Sequence, residues 1–395
     1  MTRRREGPIP RGSDLVIIGA GIVGASTAFW AARSGLSPVI LEARPLPASL
    51  TTPASTGAFR LQFDNREETE LVRESVDLIL NFSEITGLGD RPLAISQPGY
   101  LWATTSEEKA ENQRRLVERQ HSWGQTDIEL LSGDEARRRF PYLSRKVVGA
   151  RYRQDDGFLE PGAFTLGLIK ASNAALYTSC RVEAIEERPS GGFDLLTSRG
   201  AIQADSVVIA AGPFTAQLAD WAGIDLPLEI KPRHKVVIPE LKRVPSDAPM
   251  TIDDDTGVHW RPFLSGAALL DAAPRGPGRE PMEDVPPDSE MAFRVLDPAG
   301  PEAAARICPF WEEAWNNGEL SWMVHSGQYV MSPDHRPLIG PTPVKGLWVN
   351  TGYSGHGIMC GPAGGRILAD LITSKLDRSP FALDRTFVKR TFDQI

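Results

Sequence analysis

Six residues near the start, Gly19-Ala20-Gly21-Ile22-Val23-Gly24, constrain the fold more than any other feature of the chain. They lie between a short apolar run at 14–18 (Asp-Leu-Val-Ile-Ile) and a stretch of helix formers at 22–34 that stops at Gly35. A G-x-G-x-x-G segment that leaves a strand and opens a helix is a pyrophosphate-binding turn. Gly19 permits the tight turn, Gly21 lets backbone approach a phosphate with no Cβ in the way, and Gly24 lets the helix lie close on the strand. The helix start offers unpaired N–H groups and partial positive charge to the phosphates. Residues 38–42 (Pro-Val-Ile-Leu-Glu) read as a second strand, completing a right-handed, parallel βαβ unit. Glu42 ends that strand, where a carboxylate accepts from both ribose hydroxyls and repels a 2′-phosphate. A tight turn with an exposed strand-end Glu and no ligand is the bland alternative. On this motif alone FAD, NAD and S-adenosylmethionine all fit.

The 395 residues are too many for one small domain and suit two. Hydrophobic residues at 41% and charged residues at 24% predict an ordinary globular core. A formal net charge of −8 argues against a broad nucleic-acid surface. The basic cluster Arg3-Arg4-Arg5 has no apolar run behind it, so residues 1–13 read as a disordered tail and not as a signal peptide. No stretch approaches the roughly 20 apolar residues of a membrane span. Cys180, Cys308 and Cys360 are far apart and form no CxxC pair. Neither a disulfide framework nor a metal site is expected, and a reducing cytoplasm is the expected compartment.

Further along, helices are predicted at 66–86, 107–120, 132–140 (with Ser132 and Glu135 as a capping box), 162–174 and 362–375. Strands are predicted at 205–210, 233–238, 257–263, 267–271 and 346–350, and an exposed loop at 272–289. Parallel-type strands at the beginning, middle and end enclose β-rich material. The expected fold is α/β: a Rossmann-type nucleotide domain made of 14–88, 145–222 and 330–395, with an inserted α+β substrate domain (89–144 and 223–329) on a mainly antiparallel sheet.

Two further segments narrow the ligand. Asp205-Ser-Val-Val-Ile-Ala-Ala-Gly212 is a buried strand ending in small residues, where backbone can pass close to a ligand. Gly352-Tyr353-Ser354-Gly355-His356-Gly357 can lie flat against a planar ring, with a helix behind it directing positive potential at the ring edge. With the segment Ala54–Arg60 and Ser332-Pro-Asp-His-Arg-Pro-Leu-Ile-Gly340, these motifs resemble the D-amino-acid-oxidase-type FAD-dependent oxidoreductases. The nearest branch holds sarcosine oxidases, glycine oxidases, dimethylglycine dehydrogenases and the beta subunits of dye-linked proline dehydrogenases. The resemblance covers nearly the whole chain and says little about substrate. It implies that Gly19, Gly21, Ile22, Val23 and Gly24 hold the FAD pyrophosphate, with Glu42, Ala43 and Arg44 at the adenosine ribose. It places Ser55, Thr56 and Gly57 on the flavin side, Val182 at the adenine end, Ala211 and Gly212 beside the ligand, and Gly355, His356, Gly357 and Ile358 along the isoalloxazine ring. Asp334 shapes a turn.

Departures from the family pattern matter as much. Gly327 stands where a sarcosine oxidase has the cysteine that links FAD, and no histidine lies between Leu50 and Phe63, so non-covalent FAD is expected. Ser265–Leu270 lacks the lysine with which those oxidases activate oxygen, leaving room for a dehydrogenase with another electron acceptor. Phe63 and Met359 replace two family contacts to a substrate carboxylate. The catalytic candidates are Arg60, Arg261 and His259. Arg60 matches a family arginine over the ring, against the alternative of a surface arginine. Alternation puts His259 and Arg261 on one strand face and Val258 and Trp260 on the other. Arg261 is a candidate carboxylate clamp and His259 a candidate general base, against a sheet-face ion pair and a structural histidine respectively. Residues 311–322, rich in Trp, read as core. The expected activity is hydride removal from the carbon beside nitrogen in a secondary amine or amino acid, leaving an imine. The rivals are a 2-hydroxy-acid dehydrogenase, an NAD-linked enzyme and a non-catalytic FAD-binding assembly protein. A partner subunit or homodimer stays open.

Overall fold

The computed structural model describes residues 7–89, 93–271 and 276–388. The Arg3–Arg5 cluster and part of the 272–289 loop lie outside the described residues.

Residues 12–18 form a strand whose inner positions alternate between two cores. Leu15 and Ile17 face one, Val16 and Ile18 the other. A strand apolar on both sides belongs in the middle of a doubly covered parallel sheet. The sheet order is Leu338–Pro341, Leu347–Thr351, Gly200–Ile209, Gly12–Ile18, Pro38–Leu41, Ala175–Tyr177. All neighbours run parallel except Leu338–Pro341, which turns back on Leu347–Thr351. Helices Ile22–Arg33, Arg66–Leu80, Pro161–Ser172 and Gly357–Ile372 cover one face, around Leu15, Phe29, Leu71, Phe164 and Ile367. The hairpin Val182–Glu187/Phe193–Thr197 and the helix Thr215–Asp220 bury the other.

The second sheet has eight strands, ordered Met323–Met331, Glu229–Ile238, Gly266–Leu270, His259–Phe263, Met250–Asp253, Tyr100–Thr104, Gly149–Arg153, Glu129–Ser132. It is antiparallel except where Met250–Asp253 meets Tyr100–Thr104. One face buries Val236, Trp260 and Leu269 against helices Glu290–Leu296 and Phe310–Asn316, with Trp311 at the centre of an edge-to-face aromatic cluster. The opposite face carries Arg151, Arg153, Arg233, Lys235, His259 and Arg261, none more than 7% exposed. Charged groups that deep need partners or ligands.

Several expectations shift. The boundary at 145 would place Gly149–Arg153 in the nucleotide domain, but its pairing with Tyr100–Thr104 and Glu129–Ser132 fixes it in the second sheet. Gly12 and Ser13, assigned to the tail, extend the first strand against Gln203 and Ala204. The helix at 66–86 is two helices, broken at Asn81. The last helix starts at Gly357, not near Pro362, which lies inside it. The capping box of Ser132 and Glu135 is formed.

Candidate active site

The crossing of Gly12–Ile18 into helix Ile22–Arg33 opens one end of a cavity of about 490 Å³. That volume is typical of a site for a sizeable small molecule. Its walls come from both sheets. Gly19, Gly21, Ile22 and Val23 line one end, with Glu42, Ala43, Arg44, Ser55, Val182, Ala211 and Gly212. Gly355, Gly357 and Ile358 line the other. The two glycine turns, at opposite ends of the sequence, thus share one cavity.

The residues fit a dinucleotide such as FAD. The Glu42 carboxylate accepts the Ala20 N–H through Oε2 and the Arg44 N–H through Oε1, both at 2.8 Å. A carboxylate accepts about four hydrogen bonds, so capacity remains for a ribose. Burial pushes its pKa up, and the N–H groups of Arg44 and Ala20 pull it back. At the far turn Gly355 has φ +95°, and a Cβ there would sit 2.7 Å from the Tyr329 ring. The helix Gly357–Ile372 begins at this turn, so its N-terminal dipole end meets the cavity directly.

Four of the cofactor-binding candidates, and all three catalytic candidates, do not line the cavity. Gly24 packs helix on strand, since a Cβ there would meet the Gly19 carbonyl at 2.0 Å. Gly57 lies against Leu159 and Pro161. Thr56 is outside the lining, and the His356 side chain points to Arg60 and Glu68. Other lining residues include Thr52, Arg181, Arg233, Glu283, Gln328 and Tyr329. Thr52 Oγ1 accepts the Ile22 N–H at 3.2 Å and ties the two segments together. Arg233 could have been found by period-two reading of its strand. Glu283 and Gln328 depend on a tertiary contact: the Gln328 amide bonds both main-chain groups of Met282.

Around the ring-side turn the second sheet contributes its cationic face. Arg60 is 2% exposed and donates to the Gln62 carbonyl at 2.5 Å. Its guanidinium lies over the rings of Phe63 (4.5 Å) and Trp102 (5.3 Å), so the surface-arginine alternative falls away. Arg233 pairs with Asp271. Lys235 Nζ donates to the carbonyls of Pro53 (3.1 Å) and Ser55 (2.8 Å), holding the cavity-lining turn. Burial, then the nearby Arg261 charge, lowers the Lys235 pKa to about 8. Arg261 and His259 share a face, with Val258 and Trp260 in the opposite core, as the alternation predicts. Neither lines the cavity. Arg261 donates to the Pro262 carbonyl and sits between the Phe158 and Phe263 rings, at 4.4 and 4.9 Å, so aromatic stacking stands where the alternative reading put a sheet-face ion pair. Burial lowers its pKa to about 10.

His259 departs from the general-base reading. Its Nδ1 is 2.9 Å from the Gly257 carbonyl, which can only accept, so Nδ1 carries the proton and Nε2 the lone pair. Burial and the positive charges of Arg233 and Arg60 hold its pKa near 3. At neutral pH it is a fixed acceptor and a poor proton store.

Among the described residues no group of three or more His, Cys, Asp or Glu is placed to hold a metal ion. No described helix is long and apolar enough to cross a membrane.

Comparison with known proteins agrees with this geometry. The model of the family described as FAD dependent oxidoreductase matches residues 14–371. Mitochondrial dimethylglycine dehydrogenase of Mus musculus is 26% identical over 385 residues, covering 91% of this chain and 42% of its own length. The chain therefore spans less than half of that relative. The crystal structure of L-proline dehydrogenase from P. horikoshii superimposes with a TM-score of 0.80 at 25% identity, covering 95% of this chain and 96% of that one. Glycine oxidase from Geobacillus kaustophilus gives a TM-score of 0.83 at 24% identity, covering 95% and 100%, and shares the fold.

Proposed function

The chain belongs to the FAD-dependent oxidoreductase family, and on that footing we propose that it takes hydride from the carbon beside nitrogen in an amino acid or a secondary amine bearing a carboxylate. The observation that carries this is the buried positive charge beside the ring end of the cavity: Arg233 lines it, Lys235 holds the carbonyl of the lining residue Ser55, and Arg60 reaches His356 in the ring-side turn. Such charge favours an anionic substrate and compensates for the missing family contacts at Phe63 and Met359. Bound FAD supplies the two-electron acceptor.

The chain's own residues then have separable tasks. The turn Gly355–Ile358 and the helix behind it present N–H groups and positive potential to the ring. The cations orient the acid group. They also favour the neutral amine needed for hydride loss. A unit positive charge about 6 Å away costs an ammonium roughly 3 kcal/mol at an effective dielectric of about 20, or about two pKa units. Burial first, and then the same positive field, hold His259 near 3. The amine proton therefore leaves to water.

The test is anaerobic bleaching of the FAD-loaded protein by glycine, sarcosine, proline and D-amino acids, each beside its amide, with 2-hydroxy acids as a further arm. Bleaching by the amino acids and not by the amides is expected. Bleaching only by hydroxy acids would replace the reading, and none by any compound would leave the assembly-protein alternative. FAD is held without a covalent link: Gly327 offers no side chain, and its backbone lies against Ala54 and Thr51. Acid precipitation should release all the flavin into the supernatant, and yellow colour in the pellet would contradict this.

A further inference from the structure

A buried chain of three side chains connects helix Arg66–Leu80 to the ring-side turn. Glu68 lies in the first turn of that helix and is fully buried. Its main-chain N–H donates to Asn65 Oδ1 at 2.8 Å, and its Oε2 accepts from Asn65 Nδ2 at 2.6 Å. Its other oxygen faces His356 Nδ1 at 3.5 Å. On the far side of the imidazole, Nε2 is 3.3 Å from Arg60 Nη2. A guanidinium has no lone pair, so Nε2 must accept. The ring proton therefore sits on Nδ1, pointing at the carboxylate. Arg60 donates to His356, and the imidazole Nδ1–H faces the Glu68 carboxylate across 3.5 Å without a formed hydrogen bond. The Phe63 ring stands edge-on to the imidazole (5.3 Å, 89°) and fixes its plane.

We propose that Glu68 is a positioning residue for the redox site. Acting through His356, it fixes one imidazole tautomer, locks the turn whose neighbours Gly355 and Gly357 line the cavity, and balances the Arg60 charge beside the ring. This rests on the reading of the cavity as the FAD site. Sequence gave Glu68 no role beyond the first turn of an amphipathic helix. Its carboxylate is aimed inward by the Asn65 cap.

The proposal is tested on FAD-loaded protein by two readouts that do not need turnover. The first is the ¹⁵N signal of His356: wild type should show the ring proton on Nδ1, and E68L should shift the ring to a mixture of tautomers. The second is the midpoint potential of bound flavin. Removing the carboxylate leaves the Arg60 charge less balanced, which favours the more negative reduced ring. E68Q and E68L should each raise the reduced-to-oxidised ratio at a fixed potential about tenfold, which is about 30 mV for a two-electron couple. E68D should restore the wild-type potential. Wild-type tautomer and potential in both E68Q and E68L would overturn the proposal. Should E68L fail to fold, E68Q alone decides it by the potential. A wild-type protein that takes up no FAD defeats the cofactor reading instead, and one that holds FAD inert to every amine defeats only the proposed reaction.

Discussion

Lys235 shows what one buried charge does to this molecule. Its pKa lies near 8 where the ordinary value is 10.5, because burial and Arg261 disfavour the ammonium. Between those two values the unfolded chain binds the proton and the folded one does not. Stability therefore rises with pH across that window, and the full cost of the buried charge, about 3 kcal/mol, is present below pH 8. K235M removes that cost together with the hydrogen bonds to Pro53 and Ser55. The variant should match or exceed wild type in denaturant midpoint at pH 7 and fall below it at pH 10. Parallel pH curves for the two proteins would refute the shift. At this scale the sequence was partly legible. Alternation put His259 and Arg261 on one face, yet only the neighbouring strands reveal that Arg233 and Lys235 join them. The proton location on His259 needed the Gly257 carbonyl, two residues away and invisible to any motif.

Among elements, the segment around 279–284 straps the adenosine end of the cavity. Arg44 donates to the Glu283 carbonyl and Arg181 pairs with the Glu283 carboxylate. The buried Gln328 side chain holds Met282 by both main-chain groups, at 2.8 and 2.7 Å. These fastenings differ in weight. Q328A removes two hydrogen bonds from a partly buried main chain at a net cost of about 0.5–1.5 kcal/mol each, so FAD release should quicken by roughly ten- to a hundredfold. Asp284 is 94% exposed in its pair with Arg44, and D284N should change release less than about twofold. FAD loss after dilution measures both, and equal effects would show that the strap is held by charge alone. The βαβ unit was legible because every cue falls within thirty residues. The start of the last helix was not. Pro362 reads as a first-turn residue, whereas the turn pressed against Tyr329 imposes helix from Gly357 and sacrifices one backbone bond at the proline.

At the scale of the whole molecule, the cavity draws walls from residues 18–55, 180–221, 233, 283 and 327–358. A ligand that touches so many segments stabilises them together. At a thousandfold excess over its Kd, FAD should add about 4 kcal/mol to unfolding. The thermal transition should stay single and move upward, and two transitions with only one displaced would show that the sheets unfold apart. Sequence patterns identified the individual strands but not that residues 12–18 sit between 38–41 and 200–209, because pairing partners that far apart leave no local trace. One consequence concerns synthesis on the ribosome. The strand Gly200–Ile209 gains its last neighbour, beside Val207–Ile209, only when Leu347–Thr351 has been made. At about 5–20 residues per second that wait is on the order of ten seconds. A nascent chain spends it with part of that β-edge open and half a nucleotide cradle, so the flavin can be captured only after residues 347–358 have been made.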